Sequence, residues 1–415
     1  MPQHSESQVD VPSMAIEQHL SPAASPRATP VAAVHRLQNI TICHLLSSSR
    51  SVNDDRAFYR QAKPGAAQGL QTIVVAPHGI AGSVESVELG PLPRRNNRLL
   101  RMLMSQTLIF KALRQRASLY HVHEPEIIPV GLLLKILFRK RVVYDAREDY
   151  PAMMLNKAYI PGPLRQPISS GLSCLEALAA RALDGLITAD PFTLRRLARV
   201  GRSKKLVFYN FPSYKMFPPP SGDEAKSFDL VYRGGLSERC GTLLLLDAVQ
   251  DLIAQGKTLR LLLFGYFDDE HAKELVEERI RTLGLEEQVE MGGYIRFDQM
   301  AHALSRARIG ICPLQPIPKF QRNIPVKVFE YWACGLPVVA SDLPPICPFF
   351  RNHELGLLFR PGDVRELSHA IRWLLDHPSE ATQMGMRGRK TVLDRYNNSR
   401  EVAKLLRFYQ RILEK

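Results

Sequence analysis

Two charged residues in the second half of the chain have a spacing that suits binding of an anionic ligand. Lys327 and Glu330 are three residues apart, so they share one face of a short helix that is predicted to open near Pro325. An ammonium group can hold a diphosphate, and a carboxylate can accept hydrogen bonds from ribose hydroxyls. The pair therefore suits a nucleotide diphospho-sugar, and a surface ion pair is the alternative interpretation of the same spacing.

A glycine-rich turn lies upstream, where a predicted strand gives way to a helix. Gly234 and Gly235 follow the strand, and Arg239 comes just before the helix. Glycines at such a turn let backbone N–H groups approach an anion, the helix N-terminus adds partial positive charge, and an arginine can bind phosphate in a bidentate way. The turn predicts a phosphate contact, and a tight turn with a solvated arginine is the alternative.

His121 and His123 alternate along a predicted strand, so both side chains point to the same side of it. With Glu124 and Glu126 adjacent they could bind a metal, but no second cluster with metal-ligand spacing is evident in the sequence. We therefore predict no metal site and no bound cofactor. The six cysteines are scattered without a C-x-x-C pair, which indicates reduced, buried thiols rather than disulfides or a zinc cluster.

Other nucleotide-binding motifs are missing from the sequence. The first predicted strand, Ile40–Leu46, runs into Ser47–Ser51 and not into G-x-G-x-x-G, which argues against a nicotinamide or flavin dehydrogenase. The sequence also lacks G-x-x-x-x-G-K-[ST], so a P-loop nucleotidase is not expected.

Strand and helix signals alternate along most of the chain, which is typical of parallel sheets covered by helices. A proline-rich break at 211–228 separates two halves with the same layout. We predict an α/β protein with a disordered tail at 1–36, a Rossmann-like domain at 37–210, a second Rossmann-like domain at 211–396, and a last helix at 397–415. Because ligands bind beyond the carboxyl ends of the strands in such sheets, both domains should aim their loops at one cleft.

The positive charge is concentrated in the first half of the chain. The net charge is +14, and residues 41–210 account for +13 of it. No acidic residue occurs between Glu88 and Glu124, and residues 97–116 have the apolar periodicity of a helix with basic side chains on its other faces. Such a helix attracts anionic surfaces, and a solvated helix face is the alternative. The residues that we assign to this basic face, as a candidate membrane contact, are Arg94, Arg95, Arg98, Arg101, Lys111 and Arg114.

Three further observations bear on partners and location. The sequence carries no nucleic-acid-binding signature, so a membrane surface is favoured over nucleic acid. No apolar run is long enough to span a bilayer, and the first 35 residues lack the apolar core of a signal peptide. A cytoplasmic protein, peripheral to the inner face of the membrane, is therefore expected.

Around Lys327 and Glu330 the chain resembles a known family, the family 4 glycosyltransferases of the GT-B fold. The order Lys-x-x-Glu-Tyr followed by Gly335–Asp342 is similar to the donor-site signature of that family. Gly234–Ser237 is similar to its diphosphate loop.

The resemblance extends to segments outside the donor signature. His121–Glu126 and Tyr144–Pro151 resemble two segments of the N-terminal domain of the family. Tyr396 and Asn397 resemble the point at which its last helix crosses back to that domain. The motifs occur in the order found in the family, over roughly residues 38–412.

The resemblance implies two Rossmann-like domains that face a central cleft. The domain at 37–210 would bind the acceptor, with its basic face as a contact surface, the domain at 211–396 would bind the nucleotide-sugar donor, and the helix at 397–415 would pack on the first domain. The resemblance also implies retaining, metal-independent transfer of a sugar from a nucleotide donor to a glycan or lipid-linked acceptor, as in cell-surface polysaccharide or glycoconjugate biosynthesis. Glu330 would bind the donor ribose, and His123, with Glu124 next to it, would lie near the reacting sugar carbon. The donor-binding residues implied are Gly234, Gly235, Arg239, Arg322, Asn323, Lys327 and Glu330.

Three departures from the family pattern leave the activity open. Arg322 stands where many members have a glutamate, Gly235 stands where many have an arginine, and Arg147 replaces a usual histidine. Arg322 and Lys327 are therefore expected to share the phosphate-binding role. A catalytically degenerate protein that binds sugar nucleotides or serves as a scaffold is the alternative hypothesis, and another GT-B enzyme, such as a sugar-nucleotide epimerase, is a third.

Overall fold

The computed structural model describes residues 40–47, 54–77, 81–92, 107–155, 160–198, 204–218, 226–351 and 354–414. The chain divides into two compact units. Among the described residues, the N-terminal unit contains those from 40 to 217 together with 392–414, and the C-terminal unit contains those from 218 to 391. The tail predicted at 1–36 lies outside the described residues.

The N-terminal unit is built on a sheet of eight described strands in the order β3-β4-β2-β1-β5-β6-β7-β8. All neighbouring strands are parallel except β3, which runs antiparallel to β4. Their bounds are β1 Thr41–Leu45, β2 Gln71–Pro77, β3 Gly82–Val84, β4 Val87–Leu92, β5 Leu119–His123, β6 Val142–Ala146, β7 Gly185–Thr188 and β8 Lys204–Val207.

The C-terminal unit is built on a parallel sheet of six described strands in the order β11-β10-β9-β12-β13-β14. The central strands are lined on both sides by apolar residues, as expected for a parallel sheet covered by helices. Their bounds are β9 Phe228–Leu236, β10 Leu261–Phe267, β11 Val289–Met291, β12 Ala307–Cys312, β13 Val338–Ser341 and β14 Gly356–Phe359.

The helices connect these strands. A π-helical segment, Asp55–Ala62, runs into the first α-helix, and short 3-10 segments occur at Pro125–Ile127, Tyr214–Met216, Glu238–Cys240 and Phe297–Gln299. The α-helices are α1 Lys63–Ala66, α2 Leu108–Arg114, α3 Ile128–Ile136, α4 Tyr150–Met154, α5 Gly162–Ala182, α6 Pro191–Ala198, α7 Thr242–Ala254, α8 Glu270–Thr282, α9 Met300–Ser305, α10 Val326–Ala333, α11 Cys347–Arg351, α12 Val364–Asp376, α13 Pro378–Asp394 and α14 Asn398–Leu413.

The last helix, α14, covers one face of the N-terminal sheet. Its apolar side chains, among them Phe408 and Ile412, pack on Ile42, Leu119 and other residues of that face. A Cβ at Gly185 would come within 2.7 Å of the Phe408 ring, so a glycine is needed there for the close approach of the helix to β7. The opposite face of the same sheet packs against α2, α3 and α5.

The predicted fold class is confirmed: the protein has two units with mostly parallel sheets covered by helices, and the last helix packs on the N-terminal unit. The structure also contains elements that the pattern did not predict. The β3–β4 hairpin turns at Glu85 and Ser86, both with positive φ and neither of them glycine, so the sequence offers no turn signal. Of the helix predicted at 97–116, the structure describes residues 107–116, and these contain α2. Residues 97–106 lie outside the described residues. No described helix is both long and apolar enough to cross a bilayer.

Candidate functional site

The side chain of Lys327 lies in the interior of the C-terminal unit. It belongs to the first turn of α10, which begins after Pro325 and is almost entirely buried. Its ammonium Nζ donates to the Tyr232 hydroxyl on β9 at 3.0 Å and lies 4.1 Å from the centre of the Tyr232 ring. Burial lowers the pKa of the Lys327 ammonium, and the nearby Arg233 guanidinium lowers it as well. The group is thus a desolvated cation whose hydrogen-bond partner is a neutral phenol.

Gly234 makes room for this ammonium group. Its φ is +139°, a conformation that favours glycine, and a Cβ at this position would lie 2.8 Å from Lys327 Nζ. The Tyr232 hydroxyl donates in turn to the carbonyl oxygen of Gly235 at 2.8 Å. Strand β9 and helix α10 therefore bring the predicted glycine turn and the predicted lysine together, although they are more than ninety residues apart in sequence.

Glu330 lies one helical turn beyond Lys327 and is fully buried. Its carboxylate is paired with Arg233, with 3.0 Å between Arg233 Nε and Glu330 Oε2 and 3.3 Å between Arg233 Nη2 and Glu330 Oε1. The Arg233 side chain is 22% exposed, so the guanidinium lies between the carboxylate and the surface of the unit. Sequence reasoning did not single out Arg233. Its only signal is a charged residue inside an apolar strand.

The other predicted donor residues lie in more open positions. Arg239, at the end of the 3-10 segment before α7, makes a bidentate pair with Asp268 at the end of β10, with both distances at 2.6 Å. Its positive charge is therefore already balanced within the unit. Arg322 is exposed and Asn323 is partly exposed, in the loop that leads to α10.

The predicted catalytic residue His123 lies in the N-terminal unit, in a cluster of three buried histidines. His44 on β1 and His121 on β5 are cross-strand neighbours, and His123 is on the same face of the sheet. His44 Nδ1 and His123 Nε2 are 3.0 Å apart, and the Tyr409 hydroxyl of α14 is 2.6 Å from His121 Nδ1. Burial lowers the pKa of His123 to about 3 and also lowers those of His44 and His121. All three are therefore neutral imidazoles at neutral pH.

A buried ion pair anchors the histidine cluster. Asp145 on β6 lies 3.5–3.6 Å from ring nitrogens of His121 and His123, and the Arg56 guanidinium binds it through two hydrogen bonds of 2.7 and 2.9 Å. Burial alone would raise the pKa of Asp145, but Arg56 and the histidines hold it well below its usual range. Arg56 belongs to the π-helical segment and also donates to the carbonyl oxygen of Phe208 at 2.9 Å.

Arg147, which stands where the family usually has a histidine, joins the predicted Glu124 to this cluster. Its guanidinium makes a bidentate pair with Asp54 at 2.7 and 2.8 Å, and its Nε lies 3.5 Å from Glu124 Oε1. Glu124 has a φ of +57° and accepts a hydrogen bond from the Ser47 N–H at 2.9 Å. Backbone strain of this kind at a non-glycine residue persists only where the surroundings fix it.

Among the described residues, the same three histidines form a group that could bind a metal ion. One ring nitrogen from each of His44, His121 and His123 can be chosen so that all lie within 4.8 Å of one another. The sequence could indicate His121 and His123, but not His44, which comes from another strand. Their neutral rings are competent ligands, whereas the neighbouring Arg56 and Arg147 guanidinium groups disfavour a divalent cation.

The predicted basic face is only partly described. Lys111 and Arg114 lie on α2, half-buried and exposed respectively. Arg94, Arg95, Arg98 and Arg101 lie outside the described residues. Phe110, which the periodicity predicts on the inward face of this helix, is 68% exposed, because α2 buries Leu108 and Ala112 instead.

Comparison with solved structures identifies the fold class as GT-B. The sucrose-phosphate synthase from Thermosynechococcus elongatus is 18% identical, with a TM-score of 0.71 over 91% of this chain and 100% of that chain. HepE from Anabaena in complex with UDP is 15% identical, with a TM-score of 0.64 over 90% of this chain and 99% of that chain.

Residues 227–377 match the family described as Glycosyl transferases group 1. The amylovoran biosynthesis glycosyltransferase AmsK of Erwinia amylovora is 24% identical over 49% of this chain and 53% of its own length. The phosphatidyl-myo-inositol mannosyltransferase of Mycobacterium leprae is 27% identical over 49% of this chain and 52% of its own length. The chain thus spans about half the length of these relatives. The family match, the relatives and the fold support a group 1 glycosyltransferase of the GT-B fold, which confirms the resemblance found in the motifs.

Proposed function

We propose that this protein transfers a sugar from a nucleotide diphospho-sugar to a glycan or lipid-linked acceptor. The observation that carries the proposal is the buried Lys327 ammonium beside Gly234. A desolvated cation whose hydrogen-bond partner is a phenol gains more from a bound anion than a solvated lysine does. The family match covers this same part of the chain.

The donor-binding roles that we propose are supported by the positions of the side chains in the C-terminal unit. Lys327 would hold the diphosphate, and the backbone at Gly234 and Gly235 would approach it closely. Glu330 would accept hydrogen bonds from the ribose hydroxyls, with Arg233 holding the carboxylate in its orientation. The remaining proposed donor contacts, which the structure leaves at the surface of the unit, are Arg239, Arg322 and Asn323.

We further propose that transfer retains the configuration of the sugar and needs no metal. A departing diphosphate needs positive charge, which fixed cations can supply in place of a divalent ion. In this scheme no side chain attacks the sugar, and the protein stabilises the leaving group and orients the acceptor. His123 and Glu124 would act from the N-terminal unit as a neutral imidazole and an oriented carboxylate.

The relatives support the acceptor class. One is named for amylovoran biosynthesis and the other for mannosyl transfer to phosphatidyl-myo-inositol. The proposed setting is polysaccharide or glycolipid synthesis at the cytoplasmic face of a membrane, with the chain bound at the surface of the bilayer. The donor base, the sugar and the linkage are not assigned.

A second candidate function is binding of a sugar nucleotide without catalysis. One observation favours it: His123 is fully buried, with both ring nitrogens engaged by neighbouring side chains. Such a protein would bind a donor but would not transfer its sugar.

A donor screen tests these proposals. The full chain and the Glu330→Gln variant would be incubated with a panel of nucleotide sugars, with and without EDTA, and sugar release and transfer to membrane-lipid extracts would be measured. The proposal predicts turnover of one donor that EDTA leaves unchanged and that Glu330→Gln removes. Glu274→Gln, on the exposed face of α8, is the matched control.

The outcomes of the screen separate the candidates. Binding without release or transfer would favour the non-catalytic protein, and loss of activity in EDTA that added metal restores would overturn metal independence. No binding of any donor would overturn the glycosyltransferase proposal.

A further inference from the structure

Helix α3 of the N-terminal unit is apolar around its whole circumference. In the sequence Ile128–Ile136 the only charged residue is Lys135. One side of the helix is buried in the core of the unit, through residues such as Ile128, Val130 and Leu134. A helix that covers a sheet at the protein surface normally carries polar residues on its outer face, so the apolar outer face of α3 needs an explanation.

The outer face of α3 is exposed. Leu133 is 40% exposed, Ile136 is 64% exposed and Leu137 is 65% exposed. Their spacing, i, i+3 and i+4, places them in one stripe along the helix. Phe138, which follows the helix, is 44% exposed and extends the stripe. We call these four residues the α3 apolar face.

The neighbouring helix α2 adds to this surface. Through Leu108 and Ala112, α2 packs beside α3 on the same core cluster. Both helices therefore cover the same face of the sheet, and their outer sides point away from it. Phe110 on α2 is 68% exposed. Exposed apolar side chains that occur as a group, rather than singly, mark an interaction surface.

The charged residues of α2, of α3 and of the segments that flank them are all basic. The segments 107–123 and 127–144 contain seven lysines and arginines and no aspartate or glutamate. Lys135 and Arg141 bind Asp184, at 2.6 and 3.3 Å. Within the described part of the chain, no carboxylate pairs with Arg139 or Lys140, which directly follow the apolar stripe.

We infer that the α3 apolar face inserts into the interfacial region of an anionic lipid bilayer. Leucine, isoleucine and phenylalanine side chains would enter the boundary between headgroups and acyl chains, and Arg139, Lys140 and Arg114 would contact the anionic headgroups. A second copy of this chain fits the surface less well. In a symmetric dimer, the basic residues beside the α3 apolar face of one copy would lie opposite the same basic residues of the other copy and repel them. The inference does not depend on the proposed sugar transfer.

Sedimentation of the full chain with lipid vesicles tests the inference. One set of vesicles is pure phosphatidylcholine, and the other is an equal mixture of phosphatidylcholine and phosphatidylglycerol. We expect binding to the mixed vesicles that falls steeply with salt, and much weaker binding to the neutral ones. The double variant Ile136→Ser/Leu137→Ser should lower partitioning into the mixed vesicles by roughly tenfold or more.

The matched control changes the same residue types elsewhere in the unit. Leu164→Ser/Ile168→Ser replaces a leucine and an isoleucine that are 52% and 42% exposed on α5, and it should bind vesicles like the wild type. Arg139→Gln/Lys140→Gln should weaken binding to mixed vesicles and leave binding to neutral ones unchanged. Thermal unfolding of every variant shows whether it is folded.

The inference is overturned if the folded α3 variant binds mixed vesicles as well as the wild type does, or if both double serine variants lose binding equally. A wild-type chain that ignores vesicles but dimerises, and becomes monomeric in the α3 variant, would assign the α3 apolar face to a second copy instead. A donor-hydrolysis assay on the same samples keeps this result separate from the proposed function, because none of the changed residues belongs to the proposed donor site.

Discussion

The two units of this protein bury their charged residues in different ways. In the C-terminal unit, the Lys327 ammonium is buried against a phenol, so it has charge to offer a ligand. In the N-terminal unit, the charges of Asp145 and Arg56, and those of Asp54 and Arg147, neutralise one another around three neutral histidines. The difference indicates that the first arrangement is built for binding and the second for holding the backbone and the His123 ring in place.

The largest expected effect tests whether the N-terminal network is structural. Arg56→Met leaves Asp145 buried without its partner, and breaking a buried pair in this way costs about 3–5 kcal/mol. Trp332 and Trp373, the two tryptophans of the chain, lie in the C-terminal unit, so their fluorescence follows that unit, whereas circular dichroism follows both. In urea, the variant should show an earlier circular dichroism transition and a nearly unchanged fluorescence transition.

Arg260→Met is the control for this variant, because Arg260 makes an exposed pair with Glu290, worth about 1 kcal/mol or less. Equal stability of Arg56→Met and the wild type would show that the network does not hold the N-terminal unit together.

The next effect tests whether the C-terminal unit is built for binding. Lys327→Met removes the ammonium and keeps most of the side-chain volume, so donor turnover should fall by about 10²- to 10³-fold with the fold intact. Gly234→Ala should act in the same direction, because its Cβ would displace Nζ. The control Lys273→Met, on the exposed face of α8, should leave donor turnover unchanged. If Lys327→Met also left turnover unchanged, the proposed contrast between the two units would be wrong.

The pH dependence of stability sharpens the same contrast. The folded pKa values of His44, His121 and His123 lie below the unfolded value of about 6.5, so the unfolded chain binds more protons below that pH. The unfolding free energy of the N-terminal unit should therefore fall as the pH drops below about 6.5. His123, whose folded pKa is about 3, contributes up to about 1.4 kcal/mol per pH unit, and the lowered pKa values of His44 and His121 add to this fall. Urea unfolding followed by circular dichroism at several pH values measures this slope.

His44→Gln should flatten the slope, whereas His271→Gln, at an exposed position, should not change it. If the unfolding free energy of His44→Gln fell with pH as steeply as that of the wild type, His44 would not be held neutral by burial.

The smallest expected effect concerns Arg233. If it acts by orienting Glu330, Arg233→Gln should weaken binding of a nucleoside monophosphate and a nucleoside diphosphate by the same factor, about tenfold. Arg233→Lys should restore part of the loss. Calorimetric titration measures both ligands, and a loss confined to the diphosphate would show that Arg233 contacts phosphate directly.

The sequence predicted the fold well because the signals for strands, helices and turns lie within short stretches of the chain. The strand predicted at Ile40–Leu46 is present as Thr41–Leu45, and the helix predicted to open near Pro325 begins at Val326. The neighbourhood of Lys327 and Gly234 could be anticipated because both belong to motifs of the resembled family. The partners of Glu330 and of the histidine cluster could not, because Arg233, Arg56 and Tyr409 come from other elements, up to 288 residues away. When the partners of a side chain are far away in the sequence, their contact produces no short-range residue pattern, so it cannot be predicted from the sequence alone.

The most direct test of the central claim is calorimetric titration of UDP and GDP into the full chain and into Lys327→Met, in the presence of EDTA. The claim is that the Lys327 ammonium holds the diphosphate of a nucleotide donor without a metal. It predicts that at least one of the two nucleotides binds the wild type and that Lys327→Met loses most of that affinity. Equal affinity in the variant, or no binding of either nucleotide to the wild type, would contradict it.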